Sequence, residues 1–177
     1  MKTKLGIAFA LAAIAAFTTT PTVSASAQPA TQTVQDEGKK KPRNVKKFNA
    51  DKKGLALQGY DPVGYFKEGG GKPQKGSDKL TFTHDGLTYR FVSQANLDRF
   101  KKNPSKYEPL YGGWCAYAMA SDDRVEINPK FFIVTDEGLF VFYKSFLANT
   151  KKKWEKEGEA KLKPKADANW TKFLDKK

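Results

Sequence analysis

Alternating apolar and polar residues predict two hairpins in this sequence. Within residues 80–91, apolar side chains occupy every second position on either side of Asp85-Gly86, a dipeptide typical of two-residue turns. The stretch FFIVTDEGLFVFYKS has the same design, with two β-branched and aromatic runs on either side of Asp136-Glu137-Gly138. Each pattern indicates a pair of antiparallel strands.

The segment between these hairpins contains a predicted helix. Ser93 is a favourable N-cap for SQANLDRFKKNP, in which Leu97 and Phe100 lie one turn apart. Pro104 is expected to stop this helix. The residues from Pro104 to Tyr111 are predicted to form an extended, aromatic-bearing connector.

The C-terminal part of the chain also has a helical pattern. The spacing of four between Phe146, Thr150 and Trp154 predicts a helix that begins near Ser145. Pro164 is expected to separate it from a last amphipathic turn in the segment ADANWTKF. Together with the hairpins, these elements predict a single α+β domain, in which a small antiparallel sheet built from hairpins carries helices on one face.

The first 27 residues carry the features of a signal peptide. Two lysines precede an apolar run at residues 5–17, and Ala25-Ser26-Ala27 supplies small residues before a cleavage site. The run is shorter than the roughly 20 residues that a spanning helix needs. We therefore expect cleavage between Ala27 and Gln28 and a periplasmic or secreted protein with no transmembrane segment after cleavage. An uncleaved anchor is the alternative.

Residues 28–47 are predicted to form a disordered basic linker before a domain at residues 48–177. The segment is polar, and Val34 and Val45 are its only large aliphatic residues, so it cannot bury enough apolar surface to order itself. We expect order to begin near Phe48.

The net charge of +13 is concentrated at the two ends of the chain. Residues 28–53 contain 8 basic and 3 acidic residues, residues 150–177 contain 10 and 5, and residues 54–149 contain 12 and 11. A nearly neutral centre argues against a basic groove and a specific nucleic-acid partner. The basic ends are compatible with contact to an anionic envelope surface, such as lipid headgroups or lipopolysaccharide, and also with flanks that only improve solubility.

The single cysteine, Cys115, is the main candidate for chemistry. Met119 follows it by four residues, a spacing that puts both side chains on one face of a helix or of a strand. A thiolate and a thioether form a soft pair that favours copper(I), and His84, the only histidine, could add a third ligand. The alternative is that Cys115 and Met119 belong to the core, where both residue types are common.

Two further types of site remain open. A thiol enzyme would need a base beside Cys115, and His84 is the only histidine that could form such a dyad. No other catalytic constellation is evident. Asp61 precedes Pro62 and is predicted mainly to cap amides of the turn that follows. The aromatic and acidic residues near the glycines that could line a ligand pocket, with a core role as the alternative, are Tyr60, Asp61, Tyr111, Trp114 and Tyr117.

Three blocks in fixed order make the chain resemble the YHS domain family. They are the Tyr-Asp-Pro of GLALQGYDPVGYF, the Asn-Pro-x-x-Tyr of KKNPSKYEPL and the Tyr-Gly-Gly-x-Cys-Ala of YGGWCAYAMA. The similarity continues through NPKFFIVTDEGLFVFYKS and covers residues 48–174. Within that family, the chain looks like the exported, stand-alone members.

The resemblance implies a binding module that handles metal. YHS domains occur in copper-transporting ATPases, in metal-sensing or resistance proteins and in some monooxygenase subunits. By that likeness Cys115 is the expected ligand, with Met119, His84, a tyrosine, a carboxylate or a second molecule completing the site. This chain departs from the cysteine-rich metal-binding modules because it has no second cysteine. We therefore expect a soft-metal or small-ligand module of the cell envelope, with a structural or interaction domain and a thiol-dependent redox enzyme as alternatives.

Overall fold

Both predicted hairpins are present in the computed structural model, which describes residues 43–176. Strand β1 (Ser77–His84) pairs antiparallel with β2 (Leu87–Phe91), and β3 (Phe132–Thr135) pairs antiparallel with β4 (Gly138–Val141). Each pair forms its own two-stranded sheet rather than part of one sheet. In the first turn Asp85 and Gly86 both have positive φ, which matches the right-handed twist of the flanking strands.

In residues 43–176, five α-helices accompany the two sheets and confirm the α+β class. Helices α1 and α2 contact the strands, whereas α3, α4 and α5 contact one another. The helices are α1 (Gln94–Lys102), α2 (Pro104–Tyr107), α3 (Ala116–Met119), α4 (Thr150–Glu157) and α5 (Glu159–Asp175). Among the described residues, none of the helices combines the length and apolar character needed to cross a membrane.

The packed domain includes residues that the sequence analysis placed in the linker. Val45–Lys47 forms a 3₁₀ helix, and the Arg43 guanidinium donates two hydrogen bonds to the Glu108 carboxylate at 2.6 and 2.9 Å. Polar contacts rather than apolar burial hold this segment, which explains why hydrophobicity did not indicate it. The predicted signal peptide, its cleavage site and the linker as far as residue 42 lie outside the described residues.

The predicted connector after α1 is wrong. Pro104 begins α2 instead of preceding an extended segment, and the Asn103 side chain accepts a hydrogen bond from the amide of Lys106 at 3.3 Å. Proline is well suited to the first position of a helix, where its missing N–H has no intrahelical partner to lose. A 3₁₀ turn at Leu110–Gly113 follows.

The predicted bounds of the last two helices are also wrong. Helix α4 begins at Thr150, not near Ser145, because Asn149 caps it and Phe146 points into solvent. The break between the helices falls at Gly158, where φ is +89°, and α5 then continues through Pro164. Pro164 is the sixth residue of α5, so its ring removes only one hydrogen bond close to the helix start.

In the part of the chain that the structure describes, buried side chains form two core clusters. The first joins the β1–β2 hairpin and α1, with Tyr89, Phe91 and Phe100 fully buried. The second lies under α4 and α5, around Phe140 and Trp154. Residues 111–120 run between the two clusters and contribute side chains to both.

Candidate functional site

Two glycines shape the backbone that leads into Cys115. In the 3₁₀ turn at Leu110–Gly113, φ is +59° at Gly112 and +82° at Gly113. A Cβ at Gly112 would lie 2.7 Å from Trp170 and 2.8 Å from Phe48, whereas a Cβ at Gly113 would have no neighbour closer than 3.4 Å. The segment needs glycine for its conformation at both positions, and for close packing at Gly112 alone.

The Cys115 thiol takes part in a closed ring of hydrogen bonds. The Thr150 hydroxyl donates to the carbonyl of Tyr143 at 2.8 Å, so its oxygen is free to accept from the thiol at 3.3 Å. The sulfur in turn accepts from the amide of Tyr143 at 3.4 Å. Each of the three groups therefore both donates and accepts, and the thiol has no solvent-exposed surface.

This ring closes the base of the loop between β4 and α4. The amide of Thr150 also donates to the Tyr143 carbonyl, at 3.1 Å, and Lys144 and Asn149 form an antiparallel bridge just above. Cys115 thus joins the first core cluster to the two ends of a loop that comprises residues 144–149. We call this segment the Phe-Leu loop, after Phe146 and Leu147 at its tip.

Cys115 and Met119 share one helical turn, but their side chains pack in different places. The amide of Met119 donates to the carbonyl of Cys115 at 2.9 Å. Cys115 belongs to the first core cluster and Met119 to the second, and both are fully buried. Cys115 is the N-cap of α3 with ψ of 117°, so helical spacing does not align its side chain with that of Met119.

His84 lies in the first hairpin and has other partners. Its ring is 6.5 Å from that of Phe82 in a stacked arrangement and 6.2 Å from that of Phe100 edge to face. Its Nε2 is 3.8 Å from the Asp85 carboxylate. The Cys115–His84 dyad considered for a thiol enzyme is not formed. Within residues 43–176, no group of three His, Cys, Asp or Glu side chains is placed to hold a metal ion.

Three aromatic pocket candidates use their polar atoms to tie the Cys115 segment to other elements. Tyr111 donates to Asp167 of α5 at 2.9 Å, and Tyr117 donates to Glu157 of α4 at 2.7 Å. The Trp114 indole donates to the carbonyl of Lys47 at 2.9 Å.

These contacts also affect the two tyrosine hydroxyls. Burial, reinforced by the hydrogen bond to Asp167, raises the pKa of Tyr111, and the hydrogen bond to Glu157 raises the pKa of Tyr117. Both phenols are thus held as neutral donors in a structural frame.

Asp61 is a fully buried capping residue, which confirms the role predicted for it. Its Oδ1 accepts from the amides of Val63 at 2.8 Å and Gly64 at 3.1 Å. Its Oδ2 accepts from the amide of Val92 at 2.9 Å and from Nδ2 of Asn96 at 2.8 Å. The carboxylate fastens the Tyr-Asp-Pro turn to the start of α1. Its neighbour Tyr60, which is half-buried, forms a backbone bridge to Lys75.

A small cavity lies elsewhere and involves none of the five pocket candidates. It measures about 20 Å³, room for one water-sized molecule. Its walls include Phe48, Tyr89, Glu108, Pro109 and Gly112. Gly112 of the YGGWC block and Glu108 and Pro109 of the KKNPSKYEPL block are therefore in contact with this space.

The residues that the sequence analysis missed are those around the Phe-Leu loop. Thr150 and Tyr143 are separated from Cys115 by 35 and 28 positions, and no local pattern indicates such contacts. The sequence did contain a signal for an exposed tip at Phe146 and Leu147, because these two large apolar residues lie between Lys144 and a run of three lysines. The helical spacing from Phe146 to Trp154 concealed it.

No protein-family model, curated protein or solved structure matches the chain. The likeness to YHS domains therefore depends on the residue blocks quoted above. Function has to be inferred from those blocks and from the geometry of the domain.

Proposed function

We propose that the protein is an exported, YHS-like interaction module of the cell envelope, in which Cys115 is a structural thiol. The observation that supports this best is the ring formed by Cys115, Thr150 and Tyr143. In it, the thiol needs its proton to donate to Thr150 and its lone pair to accept from Tyr143.

Reactive chemistry at Cys115 would disrupt these contacts. A nucleophilic or metal-binding cysteine acts as the thiolate, which cannot donate a hydrogen bond. To keep its contact with a thiolate, the buried Thr150 hydroxyl would have to donate to the sulfur and give up its hydrogen bond to the Tyr143 carbonyl, and one such bond contributes about 0.5–1.5 kcal/mol. The ring thus favours a role in which the thiol positions the Phe-Leu loop.

Thiol accessibility tests this proposal. We expect native protein to react very slowly with a chromogenic disulfide reagent, and the reaction to accelerate steeply once denaturant unfolds the domain. A Cys115→Ala/Leu147→Cys variant, whose thiol would be at the exposed tip, supplies the rate of an accessible cysteine. Native labelling at a comparable rate would refute a structural thiol.

Soft-metal binding is the second candidate. It is favoured by the position of Cys115 in the Tyr-Gly-Gly-x-Cys-Ala block and by Met119, a second soft donor in the same helical turn. The donors do not fit a closed copper site as they stand, because the Cys115 thiol is engaged by Thr150 and His84 lies against Phe82 and Phe100.

Anaerobic titration with copper(I) separates the two candidates. If metal binding is the function, the native protein binds one ion with an affinity that Cys115→Ala abolishes and Met119→Leu weakens. Equal uptake by native protein and Cys115→Ala would eliminate Cys115 as a ligand, and the structural role would stand.

A further inference from the structure

The Phe-Leu loop holds two large apolar side chains out into solvent. The amide of Ser145 donates to the carbonyl of Ala148 at 2.9 Å, and the amide of Ala148 donates back to the Ser145 hydroxyl at 3.2 Å. Phe146 and Leu147 therefore form a two-residue tip, and they are 97% and 91% exposed. Among the described residues, the next most exposed large apolar side chain is Leu174, at 41%.

These residue types have no local structural reason to be at this tip. Tight turns favour glycine, asparagine or aspartate, which tolerate the backbone and hydrogen-bond to it. Single exposed apolar residues are common on protein surfaces. Here two adjacent ones project from a loop that is closed at its base, and neither contributes to the core.

Lysines surround the tip on both sides along the chain. Lys144 precedes it, the first turn of α4 carries Lys151, Lys152 and Lys153, and residues 144–153 include no acidic residue. The N-terminal turn of a helix favours acidic side chains, because the helix dipole is positive there. Lys151 forms an ion pair with Glu155 one turn later, at 3.5 Å. Lys152 and Lys153 are exposed at the positive end of the helix dipole, where an anionic partner would offset their charge.

We propose that the Phe-Leu loop docks the domain on an anionic lipid bilayer. Phe146 and Leu147 enter the interfacial region, while the aliphatic stems of the four lysines lie along it and their ammonium groups contact lipid phosphates. The proposal rests on the proposed function for the role of the domain as an interaction module, and it names the partner. A stable protein partner would need a far larger apolar area than two side chains provide.

The loop is already in a shape suited to docking. The ring of Cys115, Thr150 and Tyr143 fixes its two ends, and the paired Ser145 and Ala148 fix the turn. Because little backbone freedom remains to be lost, insertion of the tip needs little additional ordering. The ring can therefore contribute to binding without itself touching the lipid.

Vesicle co-sedimentation tests the proposal. The protein as isolated from cells that express the full chain is mixed with vesicles of equal parts phosphatidylglycerol and phosphatidylcholine, or of phosphatidylcholine alone. We expect binding to the anionic vesicles that weakens with added salt and is much poorer with phosphatidylcholine alone.

Variants of the tip and of the lysines separate the two contributions. Phe146→Ser/Leu147→Ser is expected to weaken partitioning on the order of 100-fold, since two large apolar side chains no longer leave water. Lys152→Gln and Lys153→Gln should each weaken it about fivefold, because one lysine near such a surface contributes about 1 kcal/mol. Lys102→Gln, on α1, is the matched control and should have a much smaller effect.

A second readout shows whether the tip itself enters the lipid. In a Leu147→Trp variant, the added indole should emit at shorter wavelength with anionic vesicles and be quenched by lipids brominated in the upper part of the acyl chain. Unchanged emission would show that the tip stays in water.

Two further results would overturn the proposal. One is equal vesicle binding by native protein and by Phe146→Ser/Leu147→Ser. The other is a native protein that ignores vesicles but forms a dimer that the same double variant abolishes, which would assign the loop to a second copy of the chain. Neither result affects the structural thiol, which is tested by labelling in the absence of lipid.

Discussion

The thiol of Cys115 and the hydroxyl of Thr150 meet at 3.3 Å, although 35 positions separate the two residues in the chain. Both side chains are buried, and Thr150 is the first residue of α4. This contact joins the glycine-rich segment before α3 to the start of α4. It also determines where the Phe-Leu loop ends.

Removal of the thiol should destabilise the fold. In Cys115→Ala, the Thr150 oxygen loses a donor and the Tyr143 amide loses its acceptor, and we expect a loss of about 1–3 kcal/mol in the free energy of unfolding. Thr150→Val breaks the same ring from the other side. Urea unfolding of both single variants and the double variant should reveal a coupling energy of about 0.5–3 kcal/mol.

The conservative variant Thr150→Ser provides the control for that cycle. It keeps the hydroxyl and should retain most of the coupling to Cys115. Strictly additive effects of Cys115→Ala and Thr150→Val would mean that the two groups do not share a hydrogen-bonded ring.

The paired glycines before Cys115 should differ in their tolerance of alanine. Both have positive φ, which costs a residue with a Cβ about 1–2 kcal/mol. Only at Gly112 would the new methyl group also collide with Phe48 and Trp170. We expect Gly112→Ala to lose at least about 1 kcal/mol more than Gly113→Ala, because overpacking adds to the backbone strain. Thermal or urea unfolding measures both, and equal losses would contradict the close approach.

The buried carboxylate of Asp61 should be essential for stability. Asp61→Asn replaces one acceptor oxygen with an NH₂ group that faces other donors, and we expect a loss on the order of 3 kcal/mol in the free energy of unfolding. Asp98→Asn, on the exposed face of α1, is the matched control and should change stability by less than about 0.5 kcal/mol. An effect of similar size in both variants would argue against the capping role.

Asp122 should make the stability of the domain depend on pH in acid. Its hydrogen bonds with Arg124, at 2.8 Å, and Lys172, at 3.1 Å, lower the pKa of its carboxyl from 3.8 to about 2. Because the folded-state pKa is the lower one, the stabilisation is complete above 3.8 and is lost as the pH falls towards 2.

NMR of the Asp122 carboxyl carbon and β-protons as a function of pH measures that shift directly. We expect a titration midpoint near 2 in the native protein and a higher one in Lys172→Met, which removes one of the two cations. Asp122→Asn should flatten the pH dependence of unfolding over the same interval. A native midpoint at 3.8 would show that the contacts with Arg124 and Lys172 do not persist in solution.

Local patterns predicted the elements that local interactions form. The Asp85-Gly86 turn and the Ser93 cap act within a few residues, and both are where the sequence indicates. The helix starts at Pro104 and Thr150 were not predicted, because the residues there are compatible with more than one type of local structure. Proline both ends a helix and begins one, and the apolar spacing from Phe146 fits a buried face as well as an exposed tip.

The arrangement around Cys115 could be predicted only in part. A buried thiol was one of the alternatives, because cysteine is often buried. Its partners Thr150 and Tyr143 come from a distant part of the chain, and the packing of two hairpins against three helices brings them together. Tyr111 and Tyr117 were named as candidates to line a ligand pocket, with a core role as the alternative. Their partners lie on α5 and α4, which no spacing in the sequence indicates.

The ammonium group of Lys47 has a consequence for the engineering of this domain. It donates to the carbonyls of Phe173 and Leu174 at 2.7 Å, and also to that of Lys176, so the first turn of the domain covers the end of its last helix. The N-terminal and C-terminal segments of the packed domain therefore lie next to each other. Domains with adjoining ends tolerate circular permutation and insertion into a loop of another protein. This one could be grafted as a cassette, with the Phe-Leu loop left free to present its tip.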